Sequence, residues 1–354
     1  MESVIATSTS APGVSTRLDI DESSQIGDAR RYASALGLAQ GLDSDAIGRL
    51  AILVTEAATN ILRHGHGGML VLRSLLHSDA AVIEVLALDK GPGIPNIDRA
   101  MADGYSSGGT AGQGLGAIRR LSEVFAIHSQ RGLGTAILAR VSQRAHASSR
   151  AVRTPTLDDR LGVVCVPMRG EVECGDHWEV VASRERLTVM LVDGLGHGPE
   201  AAVAAASATR TFRAQADRSH EAIFSALDAG MHGTRGAALS VVTVEAPPAA
   251  VTFTGVGNVD ARLTGGRATQ YLVPQNGIVG HGMPPLRSTR ASWSPGGHLV
   301  MHSDGIPARW RMDAYQGVPA HPGLLAGMIY RDFARERDDV TVVVLGEGVA
   351  RELA

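Results

Sequence analysis

The chain has 354 residues, of which 44% are hydrophobic and 19% charged, with 42 glycines and 15 prolines. This composition excludes a disordered, collagen-like or coiled-coil protein, and the length suggests two globular domains. The 33 basic and 36 acidic residues give a net charge of −3, so we expect no nucleic-acid partner and no membrane surface. The sequence has only two cysteines and shows neither a leader segment nor a long apolar run. We therefore expect a cytoplasmic protein.

The first half of the chain predicts helices packed on one sheet. Apolar residues at three-to-four spacing indicate a helix over 43–64, which Asp43 or Ser44 would cap and Gly65 would end. Alternating apolar residues and glycine turns predict the other elements. These are strands at 17–20, 68–77, 80–89 and 135–141, and a second helix at 116–127.

The pattern of the second half is different. It predicts many short strands rich in valine, threonine and leucine, and an alanine-rich helix over about 199–216. Such a pattern predicts packed sheets flanked by helices. The polar, arginine-bearing and proline-interrupted stretch 141–156 is the best candidate for a linker. We therefore expect an α/β (α+β) protein with domains at 17–140 and 157–347.

Three elements of the first half carry candidate chemistry. Glu56 and Asn60 are four residues apart on the long helix and therefore share a face. Asp89 ends an apolar strand and precedes Gly91 and Gly93, a pattern that alone favours a tight turn slightly over the pocket of a flat ligand. The glycine-rich stretch 106–116 leads into a helix whose free N–H groups could hold phosphate without the lysine of a phosphate loop.

Together the segments "EAATN", "DKGPGIP" and "GQGLG" resemble the N box and the two glycine boxes of the GHKL ATP-binding fold, a Bergerat-type α/β sandwich. Within it they are similar to the RsbT-type switch kinases of sigma-factor partner switching. The resemblance implies that Asn60 coordinates Mg²⁺, that Glu56 takes the proton of the attacking hydroxyl, and that Asp89 holds adenine. Pocket and phosphate lid would be shaped by Gly91, Gly93, Gly112, Gly114 and Gly116.

Four acidic positions of the second half lie beside glycine turns or at the ends of apolar strands. They are Asp176, Asp193, Asp304, and either Asp338 or Asp339. Carboxylates that converge above a sheet need cations to offset their repulsion, and oxygen ligands without cysteine indicate Mg²⁺ or Mn²⁺. Two such ions can lower the pKa of a shared water for attack on a phosphoryl group. Each aspartate by itself fits a turn-forming residue at least as well.

The segments "DGLGHG", "SDGI" and "DDVTVVV" resemble the SpoIIE/RsbX-like branch of the PPM-type serine/threonine phosphatases, an αββα sandwich. By that resemblance Asp193 would bridge both metals with help from the carbonyl of Gly194. Asp176, Asp304 and Asp338 would complete the ligand set, and Asp339 is the alternative to Asp338. His197 could act as an acid or shape the turn, and Asn258 would be structural.

The two resemblances imply a bifunctional regulator, an ATP-dependent serine/threonine kinase joined to a metal-dependent phosphatase. Its expected partner is a STAS-domain antagonist or a stressosome-like protein. Two alternatives stay open: a phosphatase with an ATP-sensing N-terminal domain, and an N-terminal module that sequesters a sigma factor or antagonist without catalysis. SpoIIE-type proteins usually carry a sensory module where this chain carries the kinase-like domain, so their regulation does not transfer.

Overall fold

The computed structural model describes residues 13–75, 81–101, 114–143, 156–183, 186–245, 250–265, 268–315, 317, 319 and 321–346. Two compact units make up the chain, and each is described by itself below. The first comprises Met1–Asp158 and Arg311–Pro319, and the second Asp159–Trp310 and Ala320–Ala354. Within the described residues, no helix has both the length and the apolarity needed to span a bilayer.

The first unit is an antiparallel five-stranded sheet, in the order β1-β2-β3-β5-β4, with helices on one face. Its strands are β1 (Thr16–Ile20), β2 (Gly68–Ser74), β3 (Val82–Asp89), β4 (Val124–Gln130) and β5 (Gly134–Ser142). Its helices are α1 (Ser23–Ala39), α2 (Ser44–His64), α3 (Ile97–Met101) and α4 (Gly114–Leu121), and the short α5 (Leu157–Arg160) follows in the chain.

Helix α2 is the central element of this core. It begins where the Asp43 side chain accepts a hydrogen bond of 2.8 Å from the backbone N–H of Ala46. This contact satisfies one of the free donors of the first turn. Its apolar face, with Leu50, Leu53 and Val54 fully buried, packs on the sheet and fixes the direction in which the polar residues point.

A buried ion triad ties three strands of the same sheet together. Glu84 on β3 accepts hydrogen bonds from Arg73 on β2 at 2.7 Å and from Arg140 on β5 at 2.8 Å. The three residues are cross-strand neighbours and are at most 3% exposed. One carboxylate therefore compensates two buried guanidinium groups.

Two local predictions for this unit differ from the structure. The helix predicted over 116–127 is wrong beyond Leu121, because Val124–Gln130 pairs with β5 along its full length. Val124, Phe125 and Ile127 favour a strand, and the sheet hydrogen bonds decide the outcome. Helix α1 was missed because its buried positions are mainly alanine and glycine, which give a weak apolar pattern.

The second unit contains two five-stranded sheets, in the orders β13-β10-β9-β8-β7 and β12-β11-β14-β15-β6. The first is built from β7 (Asp176–Ala182), β8 (Arg186–Gly194), β9 (Ala237–Glu245), β10 (Ala250–Val256) and β13 (Thr289–Ser292). The second is built from β6 (Leu161–Val166), β11 (Asp260–Leu263), β12 (Gln270–Leu272), β14 (His298–His302) and β15 (Val340–Gly346).

Helices cover the outer faces of these two sheets. Helices α6 (Pro199–Gln215) and α7 (His220–Gly230) share a buried core with β8 and β9, and α8 (Pro322–Phe333) packs on β6 and β15. This arrangement is an αββα sandwich, so the predicted fold class is confirmed. The alanine-rich helix was predicted correctly, whereas α7 and α8 were not predicted.

Candidate functional site

The first candidate site lies where helix α2 meets the start of α4. Glu56 and Asn60 are both half-buried and project from α2 towards Gly114, the first residue of α4. A Cβ atom at Gly114 would lie 3.1 Å from Asn60 Oδ1 and 3.4 Å from Glu56 Oε2. The structure therefore brings these three predicted residues together, and a side chain at Gly114 would crowd the two polar groups.

Asp89 forms the second part of this site, at the end of β3. Its Oδ1 accepts backbone hydrogen bonds from Gly91 at 2.9 Å and from Thr135 at 3.2 Å, which fix the carboxylate in place. A Cβ atom at Gly65 would lie 2.5 Å from the Asp89 Cβ, and one at Gly91 would lie 2.7 Å from the Gly65 Cα. Gly65, which the sequence indicated only as a helix end, is thus required for the approach of α2 to Asp89.

Two further glycines were predicted to shape the pocket, and both are held by close packing or burial. Gly93 has a φ of +73° and a Cβ there would lie 2.2 Å from the Gln130 carbonyl, so it shapes the loop after β3. Gly116 is buried within α4. Gly112 and the rest of the stretch 102–113 lie outside the described residues.

The site fits a bound polar group. Within the described part of the chain, Asn60 Nδ2 is buried and has no hydrogen-bond partner. A buried amide without a partner is costly, and phosphate oxygens or a hydrated ion would satisfy it. The free donor of Asn60 is therefore available to an oxygen atom of a bound group.

The second candidate site lies at one end of the two sheets of the second unit. Asp176 begins β7 and stands opposite Asp193 on β8 in the strand register. Asp304 follows β14, and Asp338 precedes β15, its neighbour in the other sheet. Two adjacent strands of each sheet thus deliver the predicted acidic residues.

The electrostatics of this acidic site are unfavourable without a cation. Burial raises the pKa of Asp193, and the negative charges of Asp176, Asp304 and Asp338 raise it further. Burial likewise raises the pKa of Asp176, although the Ser303 hydroxyl, which donates at 2.6 Å, partly offsets the effect. A nearby divalent cation would lower both pKa values.

Asp338 and Asp339 differ in their hydrogen bonds and in their charged neighbours, a difference that the sequence could not show. Asp339 accepts hydrogen bonds from the backbone N–H groups of Met168 at 2.7 Å and Gly175 at 2.9 Å. It therefore fastens two loops. Asp338 instead interacts with Asp304, whose pKa is raised by burial first and by Asp338 next.

Asn258 has a clearer role than the sequence indicated. Its Nδ2 donates to Asp304 Oδ2 at 2.7 Å, which orients that carboxylate. The signal for this contact was weak, because Asn258 lies 46 residues before Asp304 and within a turn.

The oxygen atoms of the acidic residues are suitable ligands for a hard divalent cation, but the side chains are too far apart to form a complete binding site. Within the described ranges, no three His, Cys, Asp or Glu side chains are grouped closely enough to hold an ion. All the candidate donors are oxygens, and burial and mutual repulsion leave the carboxylates in need of positive charge.

The turn after Asp193 is shaped by close backbone contacts. The Gly194 N–H donates to the Gly175 carbonyl at 3.0 Å, and a Cβ at Gly194 would lie 2.4 Å from the Ala201 carbonyl oxygen. The half-exposed His197 contacts Glu171 through its Nδ1 at 2.8 Å. His197 is therefore held at the rim of the acidic site, next to a carboxylate that orients its ring.

Comparisons with known proteins agree with this division of the chain. Residues 21–141 match the family described as the histidine kinase-like ATPase domain, and residues 183–346 match the family of stage II sporulation protein E. The serine/threonine-protein kinase RsbT of Bacillus subtilis is 33% identical over 126 residues, which are 36% of this chain and 90% of RsbT.

Two further matches come from an anti-sigma factor and from a solved structure. The anti-sigma F factor of Clostridium acetobutylicum is 32% identical over 91 residues, covering 24% of this chain and 62% of that protein. A solved structure from work on the bacterial stressosome has 28% identity and a TM-score of 0.49, and covers 52% of this chain and 97% of its own. In this chain an RsbT-like kinase domain is joined to a SpoIIE-type phosphatase domain. Because RsbT is matched over nearly its full length, the chain belongs to the RsbT-like family of histidine kinase-like ATPases.

Proposed function

We propose that this protein is a bifunctional partner-switching regulator. Its first unit would phosphorylate a serine or threonine of a protein partner, and its second unit would remove such a phosphate. The observation that carries the proposal is the presence of two separate polar sites on one chain. One site combines Glu56, Asn60 and Asp89, and the other gathers four acidic residues at the ends of paired strands.

In the first unit, Asp89 would accept a hydrogen bond from adenine, since its carboxylate is already oriented by backbone donors. Asn60 would hold Mg²⁺ through its amide oxygen. Glu56 lies beside it and would accept the proton of the attacking hydroxyl. These residues would position ATP and remove the proton of the attacking hydroxyl, and phosphoryl transfer depends mainly on such positioning and proton removal.

In the second unit, Asp176, Asp193, Asp304 and Asp338 would hold divalent cations, with Mn²⁺ as well as Mg²⁺ suited to their oxygens. When bound, such ions neutralise the phosphoryl group and make a water more acidic. Asp193 would contribute most, because it faces all the other carboxylates. Ser303 and Asn258 would keep Asp176 and Asp304 in place through the hydrogen bonds described above.

The partner we propose is a STAS-domain antagonist or a stressosome-like protein. The similarity to RsbT and to an anti-sigma factor supports this class of partner. A second function is favoured by the anti-sigma match: the first unit would bind a sigma factor or antagonist, or sense ATP, without transferring phosphate. Glu56 favours catalysis, since binding requires only Asn60, Asp89 and the glycines.

One experiment tests both activities. The full chain is incubated with γ-labelled ATP and a candidate STAS protein, with and without Mn²⁺, and the label is followed onto the partner and then into free phosphate. We expect transfer that Glu56→Gln abolishes and that Asp28→Asn, a half-exposed control on α1 that pairs with Arg31, preserves. Full transfer by Glu56→Gln would exclude Glu56 as the base, and binding without transfer by the wild-type chain would favour the second function.

Hydrolysis of p-nitrophenyl phosphate tests the second unit alone. We expect Asp193→Asn to abolish the Mn²⁺-dependent rate and Asp217→Asn, which replaces an 82% exposed side chain, to leave it unchanged. A retained rate in Asp193→Asn would remove Asp193 from the proposed metal centre.

A further inference from the structure

A cationic side chain lies beside the turn that leaves the acidic site. In the register of β8 and β9, Asp193 pairs with Ala238, so the residues just before β9 lie next to the turn 194–198. The Leu195 N–H donates to the Gly236 carbonyl at 3.1 Å, which fixes the two segments to each other. The residue before Gly236 is therefore placed at the rim of the site.

That residue is Arg235, and its guanidinium covers the turn. A Cβ atom at Gly196 would lie 2.9 Å from Arg235 Nη1, so the guanidinium lies directly against the turn. The other end of the guanidinium forms an ion pair with Glu200 in the first turn of α6. The side chains of Arg235 and Glu200 are 48% and 68% exposed, and an exposed pair of this kind exchanges readily.

The carboxylates of the acidic site would repel the phosphoryl group of a phosphate ester. The cations would offset part of that repulsion, but the dianionic phosphoryl group still needs donors of its own. The planar guanidinium of arginine matches two phosphate oxygens and keeps its charge at all relevant pH values. Among the other charged or titratable groups described around the turn, Glu171 and Glu200 are acidic and His197 is already held by Glu171.

We propose that Arg235 binds the phosphoryl group of the substrate, exchanging the Glu200 carboxylate for phosphate oxygens. The proposal rests on the proposed phosphatase function of the second unit. Glu200 would then act as a competitor that holds the guanidinium in place until a phosphate enters. No bond is made or broken in this step, and the charge on Arg235 is unchanged.

A purely structural role of Arg235 predicts a different result. If the Arg235–Glu200 pair only clamps the turn, removal of either side chain should impair the site in the same direction. If Arg235 binds phosphate, loss of Arg235 should weaken binding, whereas loss of the competing carboxylate should strengthen it. The Glu200→Gln variant therefore separates the two roles.

The test uses the full chain with Mn²⁺, p-nitrophenyl phosphate as substrate, and inorganic phosphate as inhibitor and as ligand in calorimetry. We expect Arg235→Ala to raise KM and the phosphate Ki about tenfold with kcat within about twofold, the size of a charge-assisted contact. Arg235→Lys should recover part of the loss, and Glu200→Gln should lower both constants. Arg290→Ala, which breaks an exposed pair with Glu245 on β9, is the matched control and should change neither.

Unchanged KM and Ki in Arg235→Ala would overturn the proposal, as would a Glu200→Gln variant that behaves like Arg235→Ala. Calorimetry keeps the test independent of turnover. If the wild-type chain hydrolyses nothing but binds phosphate in an Arg235-dependent way, the phosphatase function fails and the phosphate site stands. If it binds no phosphate at all, the site fails as well.

Discussion

Replacement of Asp193 by asparagine should stabilise the metal-free protein while removing its response to metal. The side chain lies among carboxylates, and burial together with their charge raises its pKa from 3.8 to about 10. Above pH 4 the unfolded chain has lost this proton, whereas the folded chain retains it. The stability linked to Asp193 is thus fully present below pH 4 and is lost as the pH rises towards the raised pKa.

The size of the effect follows from this pH window. Each pH unit between the ordinary and the raised pKa costs the folded state about 1.4 kcal/mol. Asparagine is neutral without binding a proton, so it recovers part of this cost at pH 8, about 2–3 kcal/mol, in a cluster that retains its other carboxylates. For a unit of this size that corresponds to a rise in Tm of about 5–10 °C.

Thermal unfolding of the full chain at pH 8, in a chelator and again in saturating Mn²⁺, measures both effects. The wild-type chain should gain about 2.7 kcal/mol in metal at a concentration 100 times the Kd, and Asp193→Asn should gain almost nothing. Asp217→Asn is the control, because its exposed side chain should change stability by less than about 0.5 kcal/mol. A lower Tm of Asp193→Asn in chelator would show that the native carboxylate is not under repulsion, and would refute the reasoning.

Three further tests address other parts of the structure. Glu84→Gln leaves two buried arginines undercompensated, so denaturant unfolding should show a loss of about 3–5 kcal/mol, and a loss below about 1 kcal/mol would contradict the buried triad. Gly65→Ala forces a methyl group against Asp89 and should weaken ATP binding at least about tenfold in calorimetry. The control is Gly48→Ala, which has open space around it; this variant should stabilise α2 by about 0.5–1 kcal/mol and bind ATP normally. Asp338→Asn should abolish Mn²⁺-dependent hydrolysis without loss of stability. Asp339→Asn should mainly lower Tm, because it weakens two hydrogen bonds from backbone N–H groups. The reverse pattern would make Asp339 the metal ligand.

Local chemistry made part of this structure predictable from sequence. Asp43 caps α2 as its side chain and position indicate, and α2 ends at His64, where Gly65 was expected to stop it. The two motif sets identified the families correctly, because each set combines several specific residue patterns that rarely occur together by chance. Strong periodicity and specific motifs were the reliable signals.

The rest depended on contacts between distant segments. The strand over Val124–Gln130 is decided by its pairing with β5, and no pattern within the segment reveals that partner. The hydrogen bonds that distinguish Asp339 from Asp338 come from Met168 and Gly175, more than 160 residues away. The tight packing of Gly65 on Asp89 was likewise invisible, since the two residues share no sequence pattern.

The position of Asp176 opposite Asp193 has a consequence for how the second unit folds. The two residues belong to consecutive strands of one hairpin, and contacts so local in sequence form early. Backbone pairing would then force like charges side by side while the sheets are still assembling. Divalent ions present at that moment would relieve the repulsion, and we expect refolding of this unit to be faster when metal is supplied at the start than when it is added at the end.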